Sequence, residues 1–82
     1  MILVFEKQGH CPQCDATKTY LNAEQVNYSL HTIEEVQLDF AQKMGFSSAP
    51  IVVSIDPYSG EYEAHAGHNT GKLDRMIRIE RE

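Results

Sequence analysis

The chain carries the sequence Cys11-Pro12-Gln13-Cys14 between an apolar run and a helical pattern. Pro12 suits the first position of a helix, because its missing N–H would be unpaired there in any case. Helical spacing then relates Ala16, Tyr20 and Leu21, which is typical of an amphipathic helix. We therefore expect the two cysteines at the N-terminal end of a helix that follows a strand and a short loop.

Two strands are predicted around this helix. The continuous apolar run Met1–Phe5 is typical of a strand that is covered on both faces. Apolar and polar residues alternate over Val26–His31, which predicts a half-buried strand with Val26, Tyr28 and Leu30 on its inner face. The helix would join the two strands as a right-handed crossover, so we expect them to be parallel.

The next segments predict a second helix and a hairpin. A capping box of Thr32 and Glu35 begins this helix, and Gly45 favours its end. The β-prone run Ile51–Ile55 is followed by a turn rich in Pro, Ser and Gly. We expect Glu61–His65 to return from that turn as an antiparallel edge strand.

A last helix completes the predicted fold. Asn69 or Thr70 would cap it, and its apolar face consists of Leu73, Met76 and Ile77. The element order is then βαβαββα. The sequence predicts a single α/β domain over residues 1–82, with a four-stranded mixed sheet flanked by three helices.

The composition excludes several classes of protein. The formal net charge is −5, whereas proteins that bind nucleic acid need clustered positive charge. The longest apolar runs, Met1–Phe5 and Ala49–Val53, are far shorter than the about 20 residues of a membrane-spanning helix. The apolar run Met1–Phe5 is too short for a signal peptide and lacks a basic flank. We expect a cytoplasmic, monomeric protein that binds neither nucleic acid nor membrane.

The spacing of the two cysteines predicts their chemistry. A bridge between positions 11 and 14 would close a very small loop and constrain little of the unfolded chain. In a reducing compartment such paired thiols are usually redox-active or metal-binding. At a helix start, unpaired N–H groups and the helix dipole would favour a thiolate on Cys11, while Cys14 would be shielded within the first turn. Cys11 could then attack a substrate disulfide, and Cys14 could resolve the mixed disulfide.

Two other interpretations of the cysteines remain open on the sequence alone. They could be incidental packed residues, although packing explains their position poorly. They could also bind zinc, for which histidines at positions 10, 31, 65 and 68 are the further candidate ligands. Two chains paired through Cys11 and Cys14 could likewise hold a metal ion or an iron–sulfur cluster. The redox interpretation is the favoured one, with no metal and no cofactor other than a Cys11–Cys14 disulfide.

Several neighbouring residues are candidates for tuning or substrate contact. A cationic His10 would stabilise a thiolate, whereas the Asp15 carboxylate would complement the helix dipole and oppose thiolate formation. Gln13 is expected to face solvent and to contact partners. A cis bond between Ala49 and Pro50 would let the backbone there pair with an extended substrate segment.

Two motifs resemble those of the thioredoxin superfamily, and within it the small NrdH-type, glutaredoxin-like redoxins. The stretch Cys11–Thr17 is similar to the family pattern C-x-Q-C-x-A-T. The stretch Ser48–Val52 is similar to x-x-A-P-V/I-V, in which family members have a cis proline. Gly67 aligns with a family glycine near the last helix, and the resemblance covers nearly the whole chain.

The resemblance implies a function and a set of site residues. NrdH redoxins carry electrons from a flavin-dependent thioredoxin reductase to class Ib ribonucleotide reductase and other disulfides. Cys11 would be the nucleophile and Cys14 the resolving cysteine. The resemblance also implies a substrate groove formed by Pro12, Gln13, Ala49, Pro50 and Gly67.

The chain departs from this family at three places. The stretch His65–His68 stands where the family often has Trp-Ser-Gly-Phe. The loop that carries Lys7, a further candidate for tuning the thiolate, is one residue longer than usual. Pro12 is more typical of glutaredoxins, whose motif is Cys-Pro-Tyr-Cys, so a glutathione-dependent glutaredoxin is the alternative function.

Overall fold

The computed structural model describes residues 1–7, 9–33 and 49–81. Within these ranges the chain forms β1 (Ile2–Glu6), α1 (Pro12–Ala23), β2 (Ser29–Thr32), β3 (Ile51–Ile55), β4 (Tyr62–Ala66) and α2 (Thr70–Arg81). The helix predicted between Thr32 and Gly45 lies outside the described residues, apart from Thr32, which ends β2, and Ile33, which follows it.

The four strands form one mixed sheet, as predicted, and their order in it is β2-β1-β3-β4. β1 is parallel to β2, and the other two pairs are antiparallel. Because α1 connects the two parallel strands, it crosses over one face of the sheet. The C-terminal end of β1, from which the chain continues to the cysteines, therefore lies in the middle of the sheet and not at its edge.

The main core lies between the sheet and the two helices. β1 contributes Ile2 and Val4, which are 1% and 0% exposed, and their alternation places them on the same face of the strand. Among the residues that the structure describes, the buried members of this core are Ile2, Val4, Leu21, Val52, Leu73, Met76 and Ile77. On the other face, Ile51 and Val53 are buried, with Leu3 and Phe5 packed against them, so β1 is covered on both faces as predicted.

Two details of the predicted packing are wrong. Ala16 is exposed, and the buried face of α1 consists instead of Cys14, Thr17 and Leu21. Leu30 is 47% exposed although it lies opposite the buried Val4. β2 is an edge strand, so a side chain on it has a neighbouring strand on one side only.

A side-chain hydrogen bond stabilises each end of α2. At its start, the Asn69 side-chain oxygen accepts a hydrogen bond from the Lys72 N–H (3.0 Å), which is the predicted N-cap contact. At its end, the Arg81 guanidinium donates to the carbonyl oxygen of Glu24 (2.9 Å). This bond satisfies a carbonyl just beyond α1, where no further helical turn follows to donate an N–H to it.

Candidate active site

The two cysteines stand where the sequence predicts, at the start of α1. Cys11 is the N-cap residue and Pro12 is the first helical residue. The two Cα atoms are 5.3 Å apart, and the cysteines form a disulfide. The Cys11 sulfur also accepts a hydrogen bond from the Cys14 N–H (3.3 Å). The helix thus supplies both the spacing for the bond and an N–H donor for one of its sulfurs.

The two cysteines differ in their exposure to solvent. Cys14 is only 1% exposed, whereas Cys11 is partly exposed. The difference follows from the helix, because Cys14 is on the buried face of α1 together with Thr17 and Leu21. Only Cys11 is therefore placed to meet a sulfur atom that approaches from outside.

The charges around the first turn of α1 are balanced by a lysine that the sequence analysis missed. Lys18 Nζ lies 2.7 Å from a carboxylate oxygen of Glu6 and 3.6 Å from one of Asp15. The hydrogen bond that Lys18 donates to Glu6 is the largest of the effects on the pKa of Lys18, and it raises that pKa. The Lys18 ammonium lies beside the Asp15 carboxylate. It therefore reduces the repulsion between that carboxylate and a thiolate at the helix start. The three-residue spacing between Asp15 and Lys18 in the sequence could have predicted this ion pair.

The loop between β1 and α1 carries the two other candidates for tuning the thiolate. Lys7 and His10 are both exposed, with Gly9 between them at φ +86°. Their predicted effect on Cys11 stays a prediction.

The predicted groove residues Gln13, Pro50 and Gly67 are connected through the backbone of one loop. The Gly67 N–H donates to the Pro50 carbonyl oxygen (2.8 Å). The next N–H, that of His68, donates to the Gln13 side-chain oxygen (3.1 Å). Gly67 has φ +83°, and a Cβ at this position would lie 3.2 Å from that same oxygen. The glycine is therefore required both by its backbone conformation and by the approach of Gln13.

Gln13 is exposed, as predicted. Its amide oxygen accepts a hydrogen bond within the chain, and its contact with a partner stays a prediction. The Ala49–Pro50 bond is cis, as expected, and Pro50 is buried. Pro50 immediately precedes β3, and its carbonyl accepts a hydrogen bond from Gly67, which follows β4. The segment before β3 and the segment after β4 therefore meet beside α1.

His68 and Thr17 are parts of this region that the sequence analysis did not assign to it. A hydrogen bond joins Thr17 Oγ1 to His68 Nδ1 (2.9 Å), and the Tyr20 ring meets the His68 ring edge-on, with centroids 6.3 Å apart. The spacing of Gln13, Thr17 and Tyr20, four and then three residues, places them on one face of α1. That spacing was visible in the sequence, but their common partner was not.

The described residues include no group of three or more His, Cys, Asp or Glu side chains that could hold a metal ion. No helix in the described ranges has both the length and the apolar character that crossing a membrane requires. A cavity of about 530 Å³ lies at the β3–β4 hairpin, between Asp56 and Ile79. None of the predicted site residues lines it, so it is separate from the dithiol.

Comparison with known proteins supports the fold through structure and not through sequence. No family model matches the chain, and no curated protein matches it. The glutaredoxin-like protein NrdH-redoxin from Escherichia coli superposes with a TM-score of 0.74 at 20% identity, over 90% of this chain and 91% of that one. The chain has a glutaredoxin-like thioredoxin fold. The glutaredoxin from Archaeoglobus fulgidus has the same fold, with a TM-score of 0.63 at 24% identity over 94% of this chain and 85% of that one.

Proposed function

We propose that the chain is a thiol–disulfide oxidoreductase that reduces disulfides in other proteins through Cys11 and Cys14. The observation that carries the proposal is the asymmetric dithiol at the start of α1, with Cys11 partly exposed and Cys14 buried behind it. The thioredoxin fold supports it, because this fold offers a helix start next to a proline loop. No bound cofactor is needed, since the two sulfurs hold the electrons.

The reaction transfers two electrons in two exchange steps. In the reduced protein, the Cys11 thiolate attacks one sulfur of the substrate disulfide. A Cys11–substrate bond forms, the substrate S–S bond breaks, and the departing thiolate takes a proton from water. Cys14 then loses its proton to water and attacks the Cys11 sulfur. The Cys11–Cys14 disulfide forms, and the second substrate thiolate leaves, so the substrate gains the two electrons that the dithiol loses.

The helix start contributes to both steps. The Cys14 N–H that bonds the Cys11 sulfur and the helix dipole both favour negative charge on Cys11. A lower pKa gives more thiolate, but nucleophilicity falls along a Brønsted slope of about 0.45, so an about tenfold gain in thiolate gives only an about 3.5-fold gain in rate. The larger benefits are a better leaving group in the second step and the high effective concentration of Cys14.

The proposed electron donor is thioredoxin reductase, and the proposed substrates include ribonucleotide reductase. The motif Cys11–Thr17 supports this choice through its likeness to NrdH redoxins. The neighbouring structure of NrdH-redoxin from Escherichia coli is described as having a thioredoxin-like activity profile. Pro12, which is more typical of glutaredoxins, favours glutathione as the alternative donor. In either case we propose a cytoplasmic protein that acts as a monomer.

A side-by-side reductant assay tests this proposal. The protein is mixed with a protein disulfide, NADPH and either thioredoxin reductase or glutathione with glutathione reductase. We expect NADPH consumption with thioredoxin reductase and little with glutathione. The Cys11→Ser variant is the matched blank. Turnover with glutathione alone would favour the glutaredoxin alternative, and no turnover above the blank with either donor would contradict the proposed function.

A further inference from the structure

Residues on one face of α1 contact the segment that leads from β4 into α2. The Gln13 oxygen accepts from the His68 N–H (3.1 Å), and Thr17 Oγ1 is hydrogen-bonded to His68 Nδ1 (2.9 Å). Tyr20 touches the same imidazole ring edge-on, and its hydroxyl donates to the Asp74 carboxylate. His68 is therefore contacted by three successive residues of this face.

The Thr17 hydroxyl explains why an imidazole is useful at position 68. Thr17 is 0% exposed, and a buried hydroxyl without a partner costs free energy of about 1–3 kcal/mol. His68 Nδ1 provides that partner from a part of the chain 51 positions away. An apolar ring at position 68 would keep the contact with Tyr20 but would leave the hydroxyl unsatisfied.

The residues of α1 that contact His68 lie before and after Cys14 in the sequence. Gln13 precedes Cys14 by one residue, and Thr17 follows it by one turn. The first N–H groups of a helix lack the backbone partners that later turns have, so backbone hydrogen bonds hold this turn less firmly than the rest of α1. While the disulfide is closed, the Cys11–Cys14 bond itself restrains the turn. Once that bond opens, the contacts with His68 are among the remaining restraints.

We propose that His68 is a positioning residue for the dithiol, which holds the first two turns of α1 so that Cys14 stays behind Cys11 in the reduced and mixed-disulfide states. This inference rests on the proposed function and assigns a role within it. His68 takes no part in the bond exchange. It acts on the second step, because that step depends on the effective concentration of Cys14 near the Cys11 sulfur.

The two steps can be separated with an aromatic disulfide, dithiobis-nitrobenzoate, in a stopped-flow instrument. Attack by Cys11 forms a Cys11–aryl disulfide and releases one coloured thiolate. Attack by Cys14 on the Cys11 sulfur closes the protein disulfide and releases a second coloured thiolate. The first rate reports capture by Cys11, and the second reports the positioning of Cys14.

Four single variants form two matched pairs for this measurement. His68→Phe keeps a ring against Tyr20 and removes Nδ1, whereas His68→Asn offers an amide that can donate or accept near the Nδ1 position. Thr17→Val removes the hydroxyl with little change of shape, and Thr17→Ser keeps it. We expect His68→Phe and Thr17→Val to slow the second release about threefold to tenfold, with the first release changed less than about twofold. His68→Asn and Thr17→Ser should remain close to wild type.

The double variant His68→Phe, Thr17→Val should be no slower than the slower single variant, because both changes remove the same bond. Folding of each variant is checked by circular dichroism, and the threonine pair alone decides the question if His68→Phe does not fold. Equal slowing of both releases, or no slowing of either, would overturn the positioning role. If reduced wild-type protein releases no thiolate at all, the proposed function itself fails, which is a different result.

Discussion

His65 on β4 lies directly opposite Val52 on β3, and like Val52 it is buried, with only 3% of its surface exposed. Neither of its ring nitrogens has a hydrogen-bond partner within the part of the chain that the structure describes. Burial is the largest effect that lowers the pKa of His65, and the positive charges of Lys72 and His68 lower it further. The imidazole is therefore held in its neutral form in the folded protein.

The stability of the fold should decrease as the pH falls below about 6.5, where a histidine in an unfolded chain takes up a proton. Because the pKa of His65 is lowered in the folded state, the unfolded chain binds the proton first and gains stability relative to the fold. The contribution of His65 is intact above that pH and is lost towards acid. Urea unfolding at about pH 7.5 and about pH 5.5 measures the loss.

The matched variants are His65→Leu and His10→Gln. His65→Leu should lose less stability between the two pH values than wild type, since it has no proton to take up at this site. His10 is exposed, so His10→Gln should keep the pH dependence of wild type. An unchanged pH dependence in His65→Leu would rule out His65 as its source.

The two cysteines should behave differently when each is replaced by serine. Cys14→Ser should capture a disulfide substrate through the accessible Cys11 and keep it as a stable mixed disulfide, because no resolving thiol remains. Cys11→Ser should capture almost nothing, because Cys14 is buried. Non-reducing electrophoresis followed by mass spectrometry detects the adduct. Capture by Cys11→Ser but not by Cys14→Ser would reverse the assigned roles.

Replacing Gly67 by alanine should destabilise the fold more than the same change at Gly60. Both glycines have positive φ, +83° and +77°, so both variants carry a backbone cost of about 1 kcal/mol. A Cβ at Gly60 meets nothing within 4 Å, whereas one at Gly67 lies 3.2 Å from the Gln13 oxygen. We expect an additional loss of about 1 kcal/mol at Gly67, measured by urea unfolding.

The double variant Gly67→Ala, Gln13→Ala tests whether that additional loss comes from Gln13. Once the Gln13 amide is removed, the methyl group added at position 67 no longer meets its oxygen. The double variant should therefore be less destabilised than the sum of the two single changes. Simple additivity would show that the approach of Gln13 is not the cause.

The capping contact at α2 should be worth about 1 kcal/mol. Asn69→Ala removes the oxygen that accepts from the Lys72 N–H and should lower the free energy of unfolding by that amount. Asn69→Ser keeps a capping oxygen and should lose much less. Asn27→Ala, at an exposed position outside the helices and strands, serves as the control for removing an asparagine side chain.

Local patterns were sufficient to predict most of the described elements. The dithiol, the helix start at Pro12, the cap at Asn69 and the order of the elements along the chain all follow from neighbouring residues. The bounds of β1 and β4 are displaced by one residue from the prediction, since β1 is Ile2–Glu6 and β4 is Tyr62–Ala66, and β2 (Ser29–Thr32) begins three residues later than predicted. Sheet pairing fixes those ends, and pairing depends on residues far away in the chain.

The contacts that complete the site could not be predicted in the same way. Periodicity indicates the apolar face of α1 only approximately, so Ala16 was placed wrongly in it while the buried Thr17 was overlooked. Thr17 is tolerated in the core because His68 satisfies its hydroxyl. A pattern within one helix cannot name a partner on another segment, which is also why the contact between Gln13 and His68 was missed.

The bond from Arg81 to the Glu24 carbonyl bears on how this domain could be made into a fluorescent redox sensor. A reporter protein fused directly behind Arg81 would pull on the far end of the helix whose other end carries the sulfurs. Tyr58, in the hairpin turn, is 98% exposed and belongs to neither helix. A dye attached there would put no strain on the helix that carries the sulfurs.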